Sequence, residues 1–387
     1  MPRTRILPAL LLLLAMFVPA CSAQLGKNVL IPAGSEIDRE IAAINAADPG
    51  DKLQLIDGFA KNHPDTDYQI VADEQYVNYY INAKQYDKAF EYGDKLFALD
   101  PDNFQNALNM IRAANEKGDT DKLFLYGEKA TSIVQRYQKS APPERTATDV
   151  WERNKADRLA AQKDNLDYIH QSLVSASYNM KDPAKKASYF ERIAKMYAGT
   201  PDEVPALSMA AISYQQAQDR GKMQAAANAA LAKDPDNIGM LLLLADDYSE
   251  KGDQLDKAET YAKKAASLAD SAKKPDSVTD EQWKQETAVQ KGLALSALGQ
   301  ISLQKKLNAP AVDYLTKAAS LLKSNAVSYA RNQYRLGFAY VNLKKNAEAK
   351  QAFTEAASVD SPYKGPAQQK LTELSNAKTA AAHKKAS

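Results

Sequence analysis

The side chains best suited to chemistry are scarce in this chain. It has one cysteine, Cys21, and three histidines, His63, His170 and His383. A zinc site needs thiolate or imidazole ligands clustered at short spacing, and cysteine–histidine catalysis needs both partners in one place. The three histidines are far apart, and none has a second ligand at metal spacing. One cysteine also rules out an intrachain disulfide. There is no glycine-rich phosphate loop and no Gly-x-Ser-x-Gly elbow. Carboxylates are plentiful, and glycoside hydrolysis needs only a pair of them, but each sits among lysines as on a solvated face. The expectation is a protein without catalytic residues, cofactor or metal.

The charges say little about partners. Lys and Arg number 50 and Asp and Glu 48, and two of the basic residues, Arg3 and Arg5, lie at the extreme N-terminus. Without them the two signs balance, and no clustered basic surface suited to nucleic acid remains.

The elements that would carry any site begin after an unusual N-terminal segment. Arg3 and Arg5 precede an apolar run from Ile6 to Val18, then Pro19, Ala20, Cys21, Ser22 and Ala23. A basic start, a short apolar run and small residues at the exit mark residues 1–23 as a signal peptide. The run is short of the roughly 20 residues a membrane span needs. Two exits are readable. Cleavage after Ala23 leaves Gln24 first. Alternatively, Val18-Pro19-Ala20-Cys21 resembles a lipobox, in which Cys21 is lipidated and cleavage precedes it, although Pro19 departs from the usual residue there. Either way the protein is expected to be exported, periplasmic or envelope-associated, touching membrane only through the signal peptide or a lipid on Cys21.

Residues 24–35 read as an extended leader, and nearly everything from Glu36 onward reads as helix. Breaks fall at Asp48-Pro49-Gly50, Asp100-Pro101-Asp102-Asn103, Gly118-Asp119, Asp182-Pro183, Gly199-Thr200-Pro201, Asp234-Pro235-Asp236-Asn237, Gly252-Asp253 and Ser361-Pro362. Proline and glycine stop helices, and Asp or Asn caps the next one. The breaks recur with a period. Tyr214 and Tyr248 are 34 residues apart, as are Pro201 and Pro235, and Asp-Pro-Asp-Asn occurs twice. Ala349, Phe353 and Ala356 share one helical face behind Leu336-Gly337 and Tyr340, and Ala311, Leu315 and Ala318 follow Leu298-Gly299 in the same way. Ala258, Ala262 and Ala265 follow Tyr248, Ala227 and Ala230 follow Tyr214, Ala187 and Ala194 follow Tyr178, and Ala89 follows Tyr80.

This pattern resembles the tetratricopeptide repeat of exported bacterial proteins: a helix pair that needs small residues where its helices touch and stacks because one pair alone buries too little. The resemblance implies an all-α fold, a right-handed superhelical solenoid of antiparallel helix pairs. The expected layout is a divergent N-terminal helix pair at 36–69, two units at 70–137 and an insertion with an extra helix at 138–167. Three units follow at 168–271, then an extended helix at 272–291, two units at 292–363, and a capping helix with a disordered tail at 364–387. Trp151 and Trp283 both fall in the irregular segments.

The resemblance also implies a function, the holding of a protein or peptide partner in a concave groove lined by the first helix of each pair. Positions on those helices not used in packing are Asn78, Asn82, Asn109, Arg112, Asn179, Gln215, Asp246, Gln300, Arg331, Tyr334 and Arg335. Amides and guanidinium groups there could hydrogen-bond an extended peptide's backbone or carboxylates. Asn78, Asn109 and Arg112 resemble the family's carboxylate clamp only loosely, because its lysines are missing.

Overall fold

The computed structural model describes residues 25–386. Residues 1–24, on which the expected signal peptide, its expected cleavage site and Cys21 fall, lie outside the described residues, as does the side chain of His383. Every regular element among the described residues is an α-helix, and none is long and apolar enough to cross a membrane.

The chain divides into two compact units, residues 25–178 and 179–386. The first holds α1 (Glu36–Ala46), α2 (Pro49–Asn62), α3 (Thr66–Asn82), α4 (Tyr86–Leu99), α5 (Phe104–Lys117), α6 (Thr120–Lys139), α7 (Thr148–Ala160) and α8 (Lys163–Asn179). The second holds α9 (Pro183–Met196), α10 (Glu203–Gln216), α11 (Arg220–Lys233), α12 (Ile238–Lys251), α13 (Leu255–Ser271), α14 (Asp280–Gln304), α15 (Asn308–Leu321), α16 (Ala326–Asn342), α17 (Asn346–Ser358) and α18 (Lys364–Ala386). Packing is between neighbours in sequence. It is extensive within the pairs α3–α4, α5–α6, α10–α11, α12–α13, α14–α15 and α16–α17, and equally extensive between α9 and α10 and between α13 and α14. The helix pairs are packed one after another along the chain, as the sequence breaks predict.

Small residues let the paired helices approach. A β-carbon at Gly299 would stand 2.5 Å from Leu315 Cγ, and one at Gly337 would stand 2.6 Å from the ring of Phe353. Ala349, Phe353 and Ala356 of α17 and Ala367 of α18 form one buried cluster between the two helices.

Both copies of Asp-Pro-Asp-Asn fold alike. Asn103 and Asn237 cap the next helix, their side chains accepting from the amides of Asn106 (2.9 Å) and Met240 (3.1 Å). Asp100 and Asp234 accept from the amides of Asp102 (3.3 Å) and Asp236 (3.1 Å), closing the turn. A second device joins successive pairs. Buried Asn106 and Asn332 each donate 2.8 Å to a carbonyl of the preceding helix, Gly93 and Leu315 respectively.

Three expectations need correction. Tyr178 is not the packing tyrosine of its repeat; it is 51% exposed. On α8 the inward face is Ile169, Leu173 and Ser177, set by Leu173 seating on Gly127 of α6. Tyr178 is one residue further on, about 100° around the helix, and faces out. Consistently, the two compact units part at the end of α8, and α9 packs on α10. The tail beyond Lys378 is helical to Ala386, as its run of alanines favours. Third, Arg335 is buried, as described below.

Trp151, half-buried, covers the end of α6: its Nε1–H donates to Ser140 O (3.1 Å) and its ring meets Tyr137 edge-on at 5.8 Å.

Candidate protein-binding surfaces

The residues expected to face a partner separate into two places and a remainder. Asn82, Arg112, Asn179 and Gln215 are exposed on α3, α5, α8 and α10, and line neither of the two recesses described below.

In the first unit, Asn78 and Asn109 meet. Asn109 Nδ2 donates to Asn78 Oδ1 at 3.4 Å and Gln105 Nε2 to Asn109 Oδ1 at 3.1 Å. With Gln162, Asn165 and Glu74 they line a cavity of about 460 Å³. Its apolar end is made by Val77, Leu96 and Phe104, against which Leu25 of the leader is packed. The Glu74 carboxyl is pushed up chiefly by burial; a hydrogen bond from Asn103 Nδ2 (3.1 Å) opposes the shift and the charge of Asp100 adds to it. Glu74 is the one acid among the lining residues, so a carboxylate pair for glycosidic chemistry is not assembled there.

In the second unit, Asp246, Arg331 and Arg335 come together across the first helices of alternate pairs, α12 and α16. Arg331 Nη1 donates to Asp246 Oδ2 at 2.6 Å and Arg335 Nη2 to Asp246 Oδ1 at 2.9 Å. Arg335 also pairs with Glu250, and its Nη1 donates to Ser296 Oγ at 3.0 Å. Arg335 is only 4% exposed and both of its Nη groups are committed to these partners. The expectation that it faces a ligand is therefore wrong. A buried guanidinium is stable only where acids and hydrogen bonds surround it, and α12 supplies both acids. Burial alone would raise the Asp246 carboxyl, but Arg331 and Arg335 outweigh it and hold it below the usual carboxylate range.

Beside this network lies a recess of about 290 Å³. Gln300 and Gln304 of α14 and Asn342 of α16 supply amides, while Leu303, Phe338 and Tyr363 supply apolar wall. Tyr334 stands in it, meeting Phe338 edge-on at 5.0 Å and Tyr363 at 5.7 Å. Phe338 and Tyr363 were not singled out from sequence. Phe338 lies three and four residues from Arg335 and Tyr334, on the same face, which is the signal that could have found it. Tyr363 arrives from the turn before α18, and no local pattern marks it.

No protein-family model matches the chain, and no curated protein is similar to it. Among solved structures, the chain is similar to NprR in complex with its cognate peptide NprX, at 15% identity and a TM-score of 0.32, over 87% of this chain and 81% of that one. It is similar to the tetratricopeptide domain of P58(IPK), at 13% identity and a TM-score of 0.29, over 89% and 99%. It is also similar to yeast Tom70, at 12% identity and a TM-score of 0.32, over 88% and 95%. What the protein does has to be read from its own residues.

Proposed function

We propose that the protein is an exported, non-catalytic interaction scaffold that holds an extended segment of a protein partner in the recess between α14 and α16. The observation that carries this is the composition of that recess. Its carboxylates and guanidiniums are spent on one another, and Gln304 and Asn342 donate to Ser249 O (3.2 Å) and Asn308 Oδ1 (3.0 Å), which leaves the Gln300 amide and the aromatic rings to meet a ligand. Amides can pair with a peptide backbone whatever its sequence, and an aromatic wall takes an apolar side chain at small entropic cost. A pocket of this kind selects an uncharged, apolar-bearing segment, not the carboxylate that free arginines would favour. The signal peptide expected in residues 1–23 favours a partner in the cell envelope.

The test is site-specific photo-crosslinking in the envelope. A benzophenone amino acid at Gln300, inside the recess, should trap one protein as a discrete adduct; the same probe at exposed Lys317 on α15 should not. Equal trapping at both positions, or none at Gln300, would remove the recess as the binding site.

A second reading rests on Val18-Pro19-Ala20-Cys21. In it the scaffold is a lipoprotein component of an envelope assembly or transport complex, tethered through Cys21. The mass of the processed N-terminus separates the two. Gln24 as first residue supports the untethered form, and a diacylglyceryl adduct on Cys21 supports the tethered one.

A further inference from the structure

The leader makes one close contact with the body of the protein, and it has the character of a bound peptide. Leu25 is 2% exposed, whereas Leu30 is 81% exposed, and between Gly26 and Ser35 no residue is buried. The buried Leu25 side chain forms the apolar end of the first unit's cavity together with Val77, Leu96 and Phe104. Its backbone is paired on both sides of the turn that joins α4 to α5. The Phe104 amide donates to Leu25 O at 3.1 Å, and the Lys27 amide donates to Asp100 Oδ2 at 2.9 Å. The intervening residue has to be glycine. Gly26 has φ of +121°, and a β-carbon there would stand 2.7 Å from Asp100 Oδ2 and 3.0 Å from the Asn103 backbone.

These contacts read a pattern: a buried apolar residue, a glycine pressed to the backbone, and a following residue recognised through its amide alone. The cavity continues past Leu25 as the amide-lined space formed by Asn78, Asn109, Gln162 and Asn165. That space exceeds what one leucine needs.

We infer that this cavity is a binding site for an extended peptide segment of the form apolar–glycine–any residue, that the chain's own leader is its resident ligand, and that a partner segment of the same form binds there by displacing it. One buried side chain and two hydrogen bonds hold the leader. Its advantage over a competitor is the high effective concentration that a short tether confers. Cutting the tether removes that advantage. This site is in the first unit and does not depend on the reading of the α14–α16 recess.

The experiment uses the chain from Gln24 to Ser387, which carries every described element. A protease site replaces residues 29–33 in the exposed part of the leader. The protein is purified folded, cleaved, and dialysed to release the leader fragment. A fluorescently labelled peptide with the sequence Gln24 to Ile31 is then titrated and followed by anisotropy. Saturable binding is expected, at least 10-fold tighter than to the uncleaved chain. Leu25→Ser or Gly26→Ala in the peptide should each weaken it at least 10-fold. An uncleaved Leu25→Ser chain should bind the wild-type peptide like the cleaved one. Three results would overturn the inference: no binding by a cleaved chain whose circular dichroism is unchanged, binding indifferent to both peptide substitutions, or loss of the helices when the leader is released.

Discussion

Gly337→Ala and Gly58→Ala are the same chemical change in the middle of a helix, and they should act with opposite sign. Alanine in place of glycine in a helix interior is worth about 1 kcal/mol. At Gly58, in α2, nothing lies within 4 Å of the added methyl, so that gain should appear in full. At Gly337 the methyl would stand 2.6 Å from Phe353 Cε1 and 2.7 Å from Cδ1 and Cζ, where ordinary contact begins at 3.4 Å. Something must move by about 0.8 Å. Phe353 is fully buried, with Tyr334 at 5.7 Å and Phe338 at 5.5 Å around it, so its ring has no free direction. Overpacking of this kind costs about 1–3 kcal/mol. Net of the helix gain, Gly337→Ala should destabilise by about 1 kcal/mol.

Because stacked pairs need not unfold in one step, the measurement should be local as well as global. Urea unfolding by circular dichroism gives the global change. Amide hydrogen exchange in α16 and α17 gives the local one, and protection there should fall in Gly337→Ala. Adding Phe353→Leu to Gly337→Ala should cost less than Phe353→Leu alone, since the clash has gone. A neutral or stabilising Gly337→Ala would refute the claim that close approach of α16 and α17 is what this glycine is for.

Four further outcomes follow from other parts of the structure. Ala356→Leu, at a fully buried position in the same cluster, should destabilise by about 1–3 kcal/mol in thermal or urea unfolding. Lys344 holds φ of +61° in the turn between α16 and α17, so Lys344→Gly should raise stability by about 0.5–1 kcal/mol, read as a higher urea midpoint. Asp246→Asn leaves Arg331 and Arg335 short of an acid and should cost about 3 kcal/mol near neutral pH; because the native carboxyl is held low, this difference should shrink as pH falls below 3.8. Asp73 is the reverse case: burial, partly offset by Lys95, raises its carboxyl to about 6, so its charge burdens the folded state above that pH. Asp73→Asn should therefore raise the melting temperature at pH 8 and leave it unchanged well below pH 3.8, where the acid is protonated whether folded or not.

The repeat could be read from sequence because its signals are covalent and local. Pro101 and Pro235 must end helices, Asn103 and Asn237 cap them, and alanines four and three apart must share a face. The turns inside the pairs were harder to see. Residues 84, 118, 218, 252, 306 and 344 occupy the same place in six pairs, and all have positive φ. Only Gly118 and Gly252 announce it. Lys84, Gln218, Lys306 and Lys344 adopt the left-handed conformation because the packed helices on either side impose it, and tertiary packing overrides local preference there. Tyr178 misled for the opposite reason: its spacing fitted the repeat, but Leu173 on Gly127 fixed a different face of α8.

The candidate site was less legible because a polar residue on an inner helix face has two uses that sequence does not distinguish. It can meet a partner, or it can meet another pair of the same array. Arg331 and Arg335 take the second course. They reach over α14 to Asp246 and Glu250, 85 to 89 positions earlier. Because it joins α12 to α16, the network acts on the angle between pairs two apart and not on any single pair. The same residues therefore set the width of the recess beside them while leaving it no net charge to offer. Asn78 and Asn109 are left at an opening, and the space next to them is partly filled by the protein's own leader. On both units, what decides whether an inner-face residue is available is which other segment of the chain reaches it first, and that is a property of the folded array that no repeat pattern encodes.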